Sequence, residues 1–254
     1  MRGWTKPVGH GKISPTLSYR KESNMSKRQE LRERRARQKK TQRILVIVGG
    51  LLVVVAVALF FILSANQSVG EIAKPEPIDR PNVNFNAMGD PNAPVKVVVY
   101  SNFLCGHCAD FAFGSEKRLI QEYIATGKLY LEYRSIGGGD SLAGRTAEAA
   151  YCAGDQGKFW EMHDYLFANL KYANFSDARI FAFANQIGLN ATQFKDCYNN
   201  RKHAATVQQD AIQATQDGVQ ATPTFVFSNG EVITGNMPYT EFQTKIEAAL
   251  AAGQ

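Results

Sequence analysis

Twenty consecutive residues without a charge, Ile44 to Leu63, divide this chain into parts that cannot share one solvent. As a helix rising about 1.5 Å per residue, the run reaches roughly 30 Å, the thickness of a bilayer's hydrocarbon core. It therefore predicts a single membrane-crossing helix. Lys and Arg dominate Lys27 to Arg43 before it, whereas Ser64 to Glu71 after it holds no basic residue. That asymmetry places the amino terminus in the cytoplasm and everything from Ser64 onward outside. The alternative is a cleaved signal peptide, whose apolar core runs about 7–15 residues and ends at a small-x-small site. Leu63-Ser64-Ala65 matches that pattern poorly.

The partition changes how the charge is understood. The whole chain carries +6, but 14 of its 29 Lys and Arg and only 3 of its 23 acidic residues lie at or before Arg43, leaving the remainder near −5. A nucleic-acid partner for the folded portion is thereby excluded. The basic tail serves as the topology signal and as a contact for anionic lipid, at about 1 kcal/mol per charge near the surface. Residues before Met25 lack periodicity, and Met25 opens the compact basic-then-apolar unit, which makes it an alternative translation start. The expected organisation is a cytoplasmic tail over 1–43, an anchor over 44–63, a Pro- and Asn-rich spacer over 64–84 and one domain over 85–254.

In that last part, Val95 to Phe103 is a Val-rich buried-strand run, and Cys105-Gly106-His107-Cys108 follows it at the start of a predicted helix. Helical spacing brings the second thiol to the first, and the free N–H groups at a helix N-terminus favour a thiolate on Cys105. Cysteines so placed titrate at roughly 3.5–7.5 rather than about 8.5, and the thiolate is the attacking species in disulfide exchange. The tetrad thus reads as a redox-active dithiol, with His107 as an added donor or charge. Haem attachment would need a His after Cys108, where Ala109 stands. A zinc site would need a second ligand pair that Cys152, Cys197 and the histidines do not supply at short spacing, so no metal is expected. The oxidising compartment and the even cysteine count pair Cys152 with Cys197 as a structural disulfide; the alternative is two buried free thiols.

Around the tetrad the elements follow in a readable order. Phe111, Leu119, Ile120, Tyr123 and Ile124 fit a helical period closed by Gly127, and Leu129 to Ile136 alternates as a strand. After Gly137-Gly138-Gly139 come helices around Leu142 to Cys152, Phe159 to Leu170 and Asp177 to Ile187, the last capped by Ser176 and ended by Gly188. Another opens with Asn190 and Gln193, and one runs near Ala204 to Ala214. Thr224 to Phe227, the turn Ser228-Asn229-Gly230 and Glu231 to Thr234 form a hairpin, and Tyr239 to Ala251 is a final helix. His163 and His203 read as surface or capped core positions rather than ligands. Phe159, Phe167, Phe181, Phe183 and Phe194 read as core.

This order resembles the α/β thioredoxin fold with a helical insertion, here about 140–218, as in DsbA-type thiol:disulfide oxidoreductases. The resemblance covers 85–252 and rests on four local matches: Gly89-Asp90-Pro91-Asn92-Ala93-Pro94, Ser101-Asn102-Phe103-Leu104, Gln156-Gly157-Lys158-Phe159-Trp160 and Ala221-Thr222-Pro223-Thr224-Phe225. It implies that Pro223 is a cis-proline facing the dithiol and that Thr222 pairs with substrate main chain beside Cys105. It further implies a membrane-tethered, extracytoplasmic oxidoreductase that introduces disulfides into reduced exported proteins. Such an enzyme uses no organic cofactor and is reoxidised by a quinone-linked membrane partner. The alternatives are a disulfide reductase or isomerase of the same fold, and a redox-sensing, chaperone-like peptide-binding module. Two positions depart from the pattern. Val99 stands six residues before Cys105, where thioredoxins and several relatives carry a buried carboxylate that assists proton transfer. Gly106 stands where the best-known oxidases have Pro, and Gly-His is typical of isomerases.

Overall fold

The computed structural model describes residues 16–65, 69–172 and 175–253; the first fifteen residues of the basic tail, three positions of the expected spacer, two in the insertion and Gln254 lie outside the described residues. The chain divides into two compact units between Gln67 and Ser68.

The first unit is one continuous helix, α1 (Thr16–Ala65), and it holds the apolar run. It extends well upstream of Ile44 because the basic stretch Lys27–Arg43 consists, apart from Thr41, of Arg, Lys, Gln, Glu, Leu and Ala, strong helix formers with no Gly or Pro among them. Its apolar side chains, from Ile44 to Phe60, are exposed around the whole helix. Ser26–Phe60 contains a window of mean hydropathy 2.8 and is the one helix among the described residues long and apolar enough to cross a bilayer.

The second unit is built on a five-stranded sheet of order β1-β3-β2-β4-β5: β1 (Ala87–Met88), β2 (Val95–Ser101), β3 (Leu129–Ser135), β4 (Thr224–Phe227) and β5 (Val232–Thr234). β2 and β3 are parallel, with Val99 opposite Tyr133 and Ser101 opposite Ser135, and the other pairs are antiparallel. The parallel pair requires a crossover. It is supplied by α2 (Gly106–Phe113), α3 (Ser115–Leu119) and a π turn over Ile120–Ile124. The single helix expected there breaks at Gly114, where a Cβ would meet the Asp110 carbonyl oxygen at 2.7 Å.

Five helices follow β3: α4 (Leu142–Gly154), α5 (Phe159–Ala168), α6 (Asp177–Ile187), α7 (Ala191–Asn199) and α8 (Ala204–Gln216), with α9 (Tyr239–Ala251) closing the chain. The expected caps form. Ser176 accepts from the Arg179 N–H, Asn190 from the Gln193 N–H, and Gly188 ends α6 at φ 80°, a left-handed conformation that costs glycine little. Phe111 of α2, Phe225 of β4 and Phe242 of α9 meet at ring separations of 4.6 to 5.6 Å and fasten the dithiol helix to the sheet. On the other flank Tyr133 packs against Phe159 and Trp160 of α5. Cys152 of α4 and Cys197 of α7 are joined as a disulfide, closing a loop of 45 positions.

The stretch read as a spacer behaves differently from Val69 onward, where it is pinned to the helical block. Arg179 donates to the carbonyls of Val69 at 2.5 Å and Glu71 at 2.6 Å. Asn169 exchanges two hydrogen bonds with the Ala73 backbone, at 2.8 and 2.9 Å. Arg80 then buries its guanidinium between α3 and α5. This strap covers apolar surface that a free linker would leave wet: Ile72 and Ile78 pack against the core.

Candidate active site

The dithiol sits where β2 hands over to α2. Asn102 shapes the turn, its carbonyl accepting from the Cys105 N–H at 2.9 Å and its side-chain oxygen from the Leu104 N–H at 2.8 Å. Cys105 is the N-cap of α2, in extended conformation, so its sulfur stands beside the helix's free N–H groups. It is part-exposed, whereas Cys108, one turn further in, is 1% exposed. Both thiols are free.

The Thr222–Pro223 bond is cis, and it turns the Thr222 carbonyl toward the dithiol: Cys105 Sγ donates to that oxygen at 3.4 Å. The residues that sequence places at the substrate edge are thus next to the exposed sulfur. Burial pushes the Cys108 thiol up to about 12; the Cys105 sulfur adds to the rise, against the opposing pull of the Ser101 hydroxyl, the Asn102 backbone and the Thr222 side chain. One sulfur is therefore accessible and the other held as a thiol. His107 stands apart from both, its ring 79% exposed and its Nδ1 3.8 Å from Asp110 Oδ2.

Val99 is 1% exposed and faces this site without a carboxylate. Behind it lies a set of buried polar groups that the sequence leaves unmarked. Arg80 donates twice to Asp164, at 2.8 and 2.9 Å, and once to Glu116 at 3.0 Å, with Trp160 stacked 4.8 Å from its guanidinium. His163, expected at the surface or as a capped core position, is fully buried, with Nδ1 2.9 Å from Asp164 Oδ1. The His163 ring meets Tyr133 edge-on at 5.1 Å and lies 5.8 Å from Phe103. Burial raises the Asp164 carboxyl, but hydrogen bonds from His163 and Arg80 outweigh it and hold the group below the usual range. Burial likewise holds the Tyr133 phenol well above 10, with the Ser101 hydroxyl opposing and the nearby Cys108 and Glu116 adding to the rise.

Cys152, Cys197 and His203 place ligand-type atoms within 4.8 Å of one another, but the two sulfurs are bonded together and so are not available as thiolate ligands. His203 instead pairs with Asp155 at 2.9 Å and packs on Phe85 and Tyr151.

Residues 82–248 match the family model described as Thioredoxin. A Na(+)/H(+) antiporter, NhaA 3 of Salinispora tropica, is 31% identical over 191 residues, covering 75% of this chain but 27% of the antiporter. The chain thus spans about a quarter of that relative's length. A protein called probable disulfide bond formation protein D, from Bacillus anthracis, is 27% identical over 154 residues, 58% of this chain and 70% of its own length. Among solved structures, Wolbachia pipientis alpha-DsbA1 superposes with a TM-score of 0.60 at 22% identity, covering 68% of this chain and 94% of that one. This likeness is one of fold.

Proposed function

The chain belongs to the thioredoxin family, and on that footing we propose that it is a membrane-tethered thiol:disulfide oxidoreductase that passes a disulfide to reduced exported proteins. The observation that carries the reading is the pairing of a part-exposed Cys105 at the α2 N-terminus with a buried Cys108 one turn behind it. The Thr222 carbonyl 3.4 Å from the exposed sulfur supports it by offering a main-chain edge to a bound peptide.

In the oxidised enzyme a substrate thiolate attacks Cys105 Sγ, a mixed disulfide forms, and the Cys105–Cys108 bond breaks with its electron pair leaving on Cys108. Cys108 takes a proton. A second substrate thiolate then attacks the substrate sulfur of the mixed disulfide, giving an oxidised substrate and a reduced dithiol. The two electrons reside in that dithiol, so no organic cofactor is needed for this half of the cycle. They leave through a membrane redox partner, for which we propose a quinone-linked protein. α1 supplies the tether, with the basic tail in the cytoplasm and the catalytic unit outside. Thr222 and Pro223 hold the substrate backbone.

The test is turnover. The full chain in detergent micelles, preoxidised, is expected to oxidise a reduced unfolded protein carrying two cysteines and to lose one disulfide for each one formed. Binding of that protein without loss of the Cys105–Cys108 disulfide would replace the enzyme by a redox-sensing binding module.

A further inference from the structure

The Cys152–Cys197 disulfide lies in a setting that a structural cross-link does not require. Each cysteine has a second ligand-type residue a few positions on: Asp155 occupies the C-cap of α4 after Cys152, and His203 the N-cap of α8 after Cys197. The two sulfurs and a His203 ring nitrogen lie within 4.8 Å of one another. Asp155 Oδ2 completes the group, 2.9 Å from His203 Nε2 and 3.5 Å from Cys197 Sγ. In the closed disulfide neither sulfur carries a proton, so that last contact sets a carboxylate oxygen against a sulfur with nothing to donate between them. The His203 side chain is 12% exposed, its ring packed on Phe85 and Tyr151, and a surface depression of about 620 Å³ lined by Asp155, Cys197 and Lys202 opens the group to solvent. Two thiolates, an imidazole and a carboxylate are the donors of a tetrahedral zinc site, whose ligand atoms stand roughly 3.3–3.8 Å apart at the usual bond lengths. Only the sulfur pair must separate, and Cα atoms 5.8 Å apart allow that by side-chain rotation.

We propose that Cys152, Cys197, His203 and Asp155 form a redox-gated zinc site, closed as a disulfide in the oxidised chain and taking one Zn²⁺ once that disulfide is reduced. The reductant is a low-molecular-weight thiol, two equivalents per disulfide. Its thiolate attacks Cys197 Sγ, in a residue 8% exposed where Cys152 is fully buried; the S–S bond breaks and its electron pair leaves on Cys152. A second thiolate attacks the small thiol's sulfur in the mixed disulfide, the electron pair leaves on Cys197, and the small-molecule disulfide departs. Zn²⁺ then binds both thiolates, the His203 nitrogen and the Asp155 carboxylate. Lys202, 2.8 Å from Asp155 Oδ2 and 58% exposed, gives up an ion pair that solvent already screens. The metal keeps α4 and α7 cross-linked while the covalent link is open, and it draws the disulfide toward the reduced form because it binds that form alone. None of these steps uses Cys105 or Cys108, so failure of the oxidoreductase reading leaves the site untouched.

The experiment uses the full chain in micelles carrying Cys105→Ser and Cys108→Ser, which removes the other two thiols from competition for metal. Zinc bound per chain is measured against a chromophoric chelator after phosphine reduction, and again with the disulfide intact. One Zn²⁺ per reduced chain and none per oxidised chain are expected. Cobalt(II) in place of zinc should give the intense visible bands of a tetrahedral site and a sulfur-to-metal charge-transfer band. Loss of an outer partner weakens such sites about 10- to 100-fold, so His203→Ala and Asp155→Ala should each weaken binding at least tenfold, and Cys197→Ser should abolish it. Reduction by glutathione in place of the phosphine should go further with zinc present than without. A reduced chain that binds no zinc overturns the inference, as do an octahedral cobalt spectrum, binding left unchanged by His203→Ala or Cys197→Ser, and an extent of glutathione reduction that zinc does not alter. If reduction unfolds the chain, zinc should restore its helical circular dichroism, and a chain that stays unfolded with zinc overturns the site as well.

Discussion

Arg80 and Asp164, 84 positions apart, are joined by two hydrogen bonds of 2.8 and 2.9 Å in a site where the arginine side chain is 3% exposed. The same guanidinium neutralises Glu116, so one residue of the strap holds two buried acids. Arg80→Met leaves both acids buried without their counter-charge, and the expected loss of stability is about 3–5 kcal/mol. Denaturant unfolding of the full chain in micelles measures it, and a loss below about 1 kcal/mol would mean the acids have found solvent.

Asp164 also sets an acid limit. Its folded-state pKa is depressed, so its contribution is fully present above the unfolded value of about 3.9 and is lost as pH falls through the lower folded value. Asp164→Asn should lower stability at pH 7 yet flatten the dependence below about pH 4. Unfolding midpoints measured from pH 7 to pH 2 decide the matter; an unchanged acid slope counts against the assignment.

The two sulfurs should differ sharply in reactivity. With Cys108 buried and raised to about 12, iodoacetamide at pH 7 is expected to label Cys105 at least about tenfold faster. Cys108→Ser should accumulate mixed disulfides on Cys105, and Cys105→Ser should accumulate none. Peptide mapping after acid quench reads both, and labelling of Cys108 first would reverse the assigned roles.

The α2 N-terminus lies directly at the Cys105 sulfur, whereas His107 projects into solvent. Stabilising the Cys105 thiolate stabilises the reduced form and makes the disulfide more oxidising, and the helix N-terminus works in that direction. The wild-type potential should therefore lie above the thioredoxin value of about −270 mV. Because the His107 ring is 79% exposed, His107→Leu should lower the potential by only about 30 mV or less, and Asp110→Asn should raise it slightly. Equilibration with glutathione measures all three, and a wild-type value as reducing as thioredoxin favours the reductase.

Anchoring by α1 predicts that the intact chain stays with membranes after alkaline carbonate washing and that its catalytic unit is digested by protease only from outside. Recovery of a soluble form beginning near Ser64 to Glu71 would favour a cleaved signal peptide.

What could be read from sequence was what is local. The dithiol, its strand-to-helix setting, the Ser176 and Asn190 caps and the β4/β5 hairpin all lie within a few residues of their own signals. The Arg80 cluster has no such signature, since its partners sit 36 and 84 positions away on separate elements. His163 was opaque for a related reason. A lone histidine on an apolar helix face says nothing of the Tyr133 ring that a strand 30 residues earlier brings against it. β1 is two residues long, too short for any periodicity, and the close approach of the Asp110 carbonyl that only a glycine at position 114 accommodates is visible only in three dimensions.

The strap also redraws where the exported unit can be cut. A shortened chain starting at Phe85, near the edge of the family match, would take the Val69 and Glu71 carbonyls from Arg179 and both Ala73 partners from Asn169, residues that are 3% and 0% exposed. It would also discard Arg80. Truncation for solubility or crystallisation therefore belongs upstream of Val69, and a protease nicking the strap would disable the enzyme from a point remote from its sulfurs.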